Sequence, residues 1–325
     1  MGSGTDWLAS LDLDRGLRVA GVVTEPVNEM AAVSMSLQPL YLLINLDRSP
    51  ERLETTGTHL SARGIAYRRL RGVDGNTLTL RAPAVLPSAY RRYHGRTLRA
   101  AEVGCYLSHL SAMETFLASA HDYCVVLEDD VEVVPDFAEA VADLVANDLY
   151  DYDLVRLQGR RRGLGVRTHW AANDRSVEAM ITRVTGSTAY ILNRGAARKC
   201  LAQLIPMVVP FDHAYDRPLH LGLKIGHILP YPAQPARGWS STIDAPRAAQ
   251  VQINDADKVG FFEKLPVLAW RTGTEVGRAM AALGPVLRWR MWHRLRRRLP
   301  RPALTVGQIV DHSADGSGPS TPAIG

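Results

Sequence analysis

Short apolar runs alternating with amphipathic helices make this chain an α/β protein, predicted to carry a mostly parallel sheet flanked by helices. Three observations carry that expectation. Residues 40–46 and 124–127 are short apolar runs, the pattern of strands buried on both faces. Between them Leu107, Leu110, Met113, Phe116 and Leu117 recur at three- and four-residue steps, which is one face of a helix. Finally, 46% hydrophobic and 22% charged residues in a 325-residue chain supply one large core or two smaller ones. That composition excludes collagen-like, disordered and disulfide-stapled chains.

The elements follow in order. Residues 1–38 have weak periodicity and read as an N-terminal extension, and the run 40–46 is the first strand. Ser49 and Pro50 then open a helix as its cap and first residue, and Gly64 closes it. A second strand is predicted over 65–70, a helix over 98–121 and a strand over 124–127. Asp136 caps a helix running to Ala146, and a strand follows over 153–157. Beyond it come a strand over 188–192, helices over 194–204 and 211–221, and a last strand over 223–229. Residues 238–257 read as loop, the composition shifts again after Trp270, and residues 311–325 read as a disordered tail. The expected division is therefore an extension (1–38), a principal domain (39–260), a basic helical tail (261–310) and the terminal 311–325.

The net charge is +5, and of 38 basic side chains only Lys199, Lys224, Lys258 and Lys264 are lysine. Guanidinium grips phosphate with a planar fork that ammonium lacks, so the skew fits anionic partners or simply a GC-rich coding sequence. Position separates the two. Residues 270–301 hold nine arginines and one acid, Glu275, a net of +8 that leaves −3 for the rest. The bulk of the chain is thus slightly acidic, and no nucleic-acid partner is called for. No apolar run approaches the roughly 18–20 residues that span a bilayer. The first ten residues lack a basic-then-apolar leader pattern. Cys105, Cys124 and Cys200 are scattered in apolar contexts, as buried free thiols are, and the expectation is a cytoplasmic protein.

In open α/β sheets, ligands gather outside the carboxyl ends of the strands. Asn45, Asp47 and Arg48 directly follow the first strand, with Arg52 one helical turn on. Polar groups beside a helix N-terminus suit a nucleotide or phosphate; a capping Asp47 and solvated arginines explain them equally well. Glu128, Asp129 and Asp130 follow the apolar run before them. Strand alternation would send Glu128 and Asp130 to one side and Asp129 to the other. Adjacent carboxylates repel, and Mg²⁺ or Mn²⁺ relieves that while holding a substrate diphosphate. An acidic turn with a helix cap is the plain alternative. Ser108 and His109 are helical neighbours about 100° apart, which excludes a nucleophilic dyad and leaves His109 as a packing residue. Asp212 and Asp216 stand one turn apart on the predicted 211–221 helix, placed for a general base, an acceptor contact or a metal shell, or else merely exposed.

Three blocks together resemble glycosyltransferase family 25: Leu-Ile-Asn-Leu-Asp-Arg at 43–48 with Arg52, Ala-Glu-Val-Gly-Cys-Tyr-Leu-Ser-His at 101–109, and Val-Leu-Glu-Asp-Asp-Val at 126–131. That family includes bacterial lipooligosaccharide galactosyltransferases and animal collagen galactosyltransferases. Residues 184–190, 210–213 and 235–243 are similar to its later blocks, so the resemblance covers residues 39–245 in the family's order. It implies a GT-A-like fold, with a Rossmann-type half for a UDP-sugar and a variable acceptor half. It also implies inversion at the anomeric carbon, typically from UDP-galactose, onto a glycan or glycolipid acceptor. Under it Glu128 and Asp130 are the metal ligands, for Mn²⁺ or Mg²⁺. Asn45, Asp47, Arg48, Arg52, Ser108, His109 and Asp129 surround the donor. Inversion needs a base on the acceptor side, with Asp212 the first candidate and Asp216 the second. The leading acid is Glu rather than the Asp of a DXD motif, although Glu-Asp-Asp is the family's usual form. A non-catalytic member that binds a glycan or a partner protein is the alternative.

The basic tail has a pattern of its own. Over 286–299, Met291, Trp292, Leu295 and Leu299 share one helical face opposite Arg290, Arg294 and Arg297, with Arg288 intruding on the apolar side and Pro285 interrupting any longer helix. This predicts an interfacial helix on an anionic membrane surface, peripheral on the inner face; packing on the main domain or an oligomer contact are the alternatives. The basic loops at Arg91, Arg92 and Arg99, and at 160–162, suit either phosphorylated glycan or solvent.

Overall fold

The computed structural model describes residues 38–78, 84–159, 163–236 and 264–298, with side chains as far as Met291. Residues 1–37, the run 160–162, the loop expected at 238–257 and the 311–325 tail lie outside the described residues. β1 (Leu40–Asn45) is the first apolar run, and β2 (Arg68–Arg71) and β3 (Tyr123–Glu128) pair with it in parallel. β8 (Ala189–Asn193) lies antiparallel between β3 and β5 (Leu154–Arg156), and β9 (Ile225–Leu229) is parallel to β5. The hairpin of β6 (Gly165–Trp170) and β7 (Ser176–Met180) completes an eight-stranded sheet of order β2-β1-β3-β8-β5-β9-β7-β6. β7 and β8 run against the other strands, so the α/β, mostly parallel expectation holds. A separate ladder joins β4 (Val131–Val133) to β10 (Ala233–Pro235).

Strand alternation splits the core in two. Leu42, Ile44, Cys124 and Val126 cluster with residues of α3 (Ala100–Leu117) and α5 (Arg194–Gln203) on one face. Leu43, Val125, Leu127 and Ile191 cluster with α1 (Pro50–Ser61) and α4 (Phe137–Ala146) on the other. Helices therefore cover both faces, and the polar residues that end β1 and β3 are left at the sheet's carboxyl edge.

Several elements differ from expectation for identifiable reasons. Pro218 divides the predicted 211–221 helix into α6 (Phe211–Ala214) and α7 (Pro218–Leu221), because proline drives the residue before it, Arg217, out of the helical region. Asp136 occupies the N-cap position of α4, but its carboxylate binds Arg175 and Asn173 instead of capping. α2 (Pro87–His94) precedes α3 with no counterpart in the sequence reading. α8 (Lys264–Arg298) continues through Pro285. The first compact unit ends at Trp289, so most of α8 belongs with the sheet rather than with a tail that begins at 261. Its inner face buries Val267, Arg278 and Ala282. In the second unit the described residues, 290–298, are helical.

Candidate functional site at the carboxyl edge of the sheet

A cleft opens beyond β1 and β3, at the carboxyl edge where open α/β sheets collect ligands. It gathers most of the residues singled out from the sequence: Asn45, Arg48 and Arg52, then Ser108 and His109 with Cys105 beside them, then Glu128 and Asp129. Two glycines shape its wall. A Cβ on Gly75 would fall 1.7 Å from the Ala100 carbonyl oxygen, and one on Gly104 would fall 2.4 Å from that of Val73. With neither present, the segment after β2 lies directly on α3. Ser108 there accepts from the Val73 N–H at 2.8 Å and donates to the Gly104 carbonyl at 2.7 Å. Its hydroxyl thus ties the wall together while the residue lines the cleft.

The acidic run parts differently from simple alternation, because β3 ends at Glu128 and Asp129 and Asp130 form a turn into β4. Glu128 turns toward α3. It accepts from the Ser187 hydroxyl at 2.7 Å, and its Oε1 lies 3.4 Å from His109 Nε2. Asp129 and Asp130 share Arg52, at 3.1 and 3.2 Å. Asn45 donates to Asp129 Oδ2 at 2.8 Å and to the Ser49 carbonyl at 2.9 Å, and accepts from Arg69 at 3.1 Å. The Thr56 hydroxyl holds the Asp129 carbonyl at 2.8 Å. Arg52 and Asn45, expected on the nucleotide, are thus the buried counter-ion and the positioning amide of the acids. Asp47 faces away, on Arg69 at 2.7 Å and on Arg71. Arg48 lines the cleft with Asp74 as its partner.

The electrostatics are uneven. Burial, reinforced by the charge of Glu128 and opposed by Arg52, pushes the Asp130 carboxyl up to about 6. Burial also raises Asp129, against Arg52 and Asn45. In Glu128 burial acts upward too, but His109 and Ser187 outweigh it and hold the carboxyl below its ordinary value. Asp130 Oδ1 is buried with no hydrogen-bond partner among the described residues. An orphaned carboxylate oxygen beside a second carboxylate fits a hard divalent cation such as Mg²⁺ or Mn²⁺.

The two candidate bases separate. Asp212, in α6, accepts from the Gly186 N–H at 3.1 Å, and the next residue, Ser187, reaches Glu128. One loop thereby ties Asp212 to the acids. Gly186 is required there: its φ is +109°, and a Cβ would meet the Gln158 amide at 2.6 Å. Asp216 is the correction. It is 1% exposed, bound to Arg278 at 2.5 Å and 3.4 Å from Arg156. A carboxylate sealed between two guanidiniums is an anchor for α8, not a base facing an acceptor. Gln158 was not anticipated; it is buried at the end of β5, and neither amide atom has a partner among the described residues. Nor was Tyr190, whose hydroxyl meets His109 Nδ1 at 3.1 Å. Ser187 lies in the 184–190 block, the signal that could have singled it out.

A family model described as glycosyltransferase family 25 (LPS biosynthesis protein) matches residues 38–215. A glycosyltransferase 25 family member of Aedes aegypti is 28% identical over 186 residues, covering 55% of this chain and 30% of that protein. The probable inactive glycosyltransferase 25 family member 3 of Bos taurus is 33% identical over 181 residues, covering 52% and 30%. The inactive member 3 of Homo sapiens is 32% identical over 184 residues, again covering 52% and 30%. The chain thus spans under a third of the length of these relatives. Among solved structures, a glycosyltransferase involved in glycosylation of the PBCV-1 major capsid is similar at a TM-score of 0.26 and 12% identity, over 62% of this chain and 95% of that one.

Proposed function

The chain belongs to glycosyltransferase family 25, and from that premise we propose that it moves a hexose, galactose first, from a UDP-sugar to a hydroxyl of a lipooligosaccharide or another surface glycan. The observation that supports this reading is the acidic turn after β3, where Asp129 lines the cleft and the neighbouring Asp130 keeps a buried, orphaned oxygen. Asp129 and Asp130 would hold Mn²⁺ or Mg²⁺, which offsets the charge of a departing diphosphate. Arg48, on the cleft wall, adds a cation for the same phosphates. Asp212 takes the acceptor proton as the hydroxyl attacks from the face opposite UDP, so the anomeric carbon inverts. The Gly186 N–H fixes its Oδ2, and its Oδ1 lies 4.0 Å from His213 Nε2.

A screen of UDP-galactose, UDP-glucose and UDP-N-acetylglucosamine with Mn²⁺, read as UDP release, tests the reading. Release from one donor supports it. The names of the bovine and human relatives favour a second reading, a silent member that binds glycan or a partner protein; that reading predicts donor binding without turnover.

Outward-facing residues of α8 support a membrane partner. Leu265, Leu268, Val276, Met280, Leu283 and Leu287 are all exposed and fall on one stripe of the helix, with Arg288 and Arg290 exposed near its end. Apolar side chains with arginines beside them match an anionic bilayer surface. The face expected from Trp292 to Leu299 lies outside the described side chains. No helix among the described residues is long and apolar enough to cross a membrane. Flotation with vesicles of anionic phospholipid should fall when Met280, Leu283 and Leu287 are all replaced by Gln; unchanged flotation would remove the stripe from the account.

A further inference from the structure

We infer that Cys105, His109 and Glu128 form a binding site for a thiophilic divalent metal of the Zn²⁺ class, on the inner wall of the cleft. Cys105 and His109 are four residues apart on α3 and so share one face of it, and Glu128 ends the neighbouring strand. One ligand atom from each, the thiol sulfur, an imidazole nitrogen and a carboxylate oxygen, lies within 4.8 Å of the other two. Tetrahedral zinc, with bonds of about 2.0–2.3 Å, sets its ligand atoms roughly 3.3–3.8 Å apart. Contraction by about 1 Å is within the reach of a small side-chain rotation.

The imidazole supplies the independent observation. His109 is 1% exposed, its Nδ1 is engaged by the Tyr190 hydroxyl at 3.1 Å, and its Nε2 has no hydrogen-bond partner among the described residues. Without an ion Nε2 faces Glu128 Oε1 at 3.4 Å; with the proton moved to Nδ1, toward Tyr190, Nε2 would offer its lone pair to an ion held between it, Glu128 and Cys105, the way a second partner orients a metal-binding histidine. Ser187, donating to Glu128 Oε1, orients the carboxylate likewise. The three groups also line the cleft, so a fourth position is open to water or a phosphate oxygen. On binding, the thiol proton leaves to water, and thiolate plus carboxylate balance the charge of the ion.

This donor set is distinct from the acidic turn. A thiolate and an imidazole select zinc-like ions, whereas Asp129 and Asp130 offer only hard oxygen. Cys124 and Cys200 are fully buried in the core and belong to neither site. A zinc-class ion here would take Glu128 and crowd the donor, and so inhibit transfer. That consequence rests on the glycosyltransferase reading, while binding does not.

Cobalt is the probe, because thiolate coordination gives Co²⁺ an intense near-ultraviolet charge-transfer band. Titration of the purified full chain should produce that band at one equivalent, and Zn²⁺ should abolish it. Cys105→Ser should remove the band and weaken Co²⁺ binding at least about tenfold, and Glu128→Gln should weaken binding while keeping the band. Asp130→Asn should leave both intact, which separates this site from the proposed catalytic one. No band on the wild-type chain, a band that survives Cys105→Ser, or one lost with Asp130→Asn would each overturn the inference.

Discussion

Replacing Asp130 by Asn should stabilise the protein in the absence of divalent ions. The charged Asp130 carboxyl is disfavoured in the fold even with Arg52 at 3.2 Å, and is pushed from its ordinary 3.8 to about 6. At 1.36 kcal/mol per pKa unit this is about 3 kcal/mol, or about 2 kcal/mol once screening at the 23% exposed side chain is allowed for. Asparagine keeps the shape and removes the charge, and Arg52 keeps Asp129. The sign of the pH dependence follows. Between about pH 4 and 6 the folded wild type binds more protons than the unfolded chain, so its stability rises as pH falls through that window. Urea denaturation in a chelator should therefore show the variant more stable by about 2 kcal/mol at pH 7.5, a gain of about 4–8 °C in melting temperature. The gain should shrink toward zero near pH 4. A destabilised Asp130→Asn, or a difference independent of pH, would refute the reasoning that burial and the charge of Glu128 outweigh Arg52 at this carboxylate.

Other expectations follow from the same geometry. Asp212→Asn should cost about 10²–10⁴-fold in transfer rate with the melting temperature unchanged, since the amide oxygen still accepts from Gly186; initial rates with the preferred donor check this. Asp216→Ala should cost about 3–5 kcal/mol in urea denaturation, because it leaves Arg156 and Arg278 buried and unpaired. Mn²⁺ affinity, measured by calorimetry across pH, should fall as Asp130 is protonated below about 6.

How much of this was legible from residues alone depends on how local each signal is. β1, β3 and the helices around them were readable because an unbroken apolar run or a three-to-four spacing is a property of neighbours in the chain. The β6–β7 hairpin was not, since Gly165, Arg167, Thr168 and His169 hold no apolar alternation; its pairing comes from β9 alongside. The acids were found, but their directions were not. Where β3 stops is decided by β4 pairing with β10, about a hundred residues later. Arg52 and Asp216 carry the same lesson. A charged side chain reads as a ligand or a solvated group until the fold brings it a buried counter-ion, Asp129 for one and Arg278 for the other. Gly104 was visible as a letter, but its reason is the Val73 carbonyl 2.4 Å from where a Cβ would sit.

The central claim is that the acidic turn and its cleft hold a nucleoside diphosphate through a divalent cation. Calorimetric titration of UDP into the purified chain, with and without Mn²⁺, for wild type and Asp130→Asn, tests it most directly. The wild type should bind UDP only with the cation present, and Asp130→Asn should lose that binding. UDP binding that ignores both the cation and the substitution, or no UDP binding at all, would contradict it.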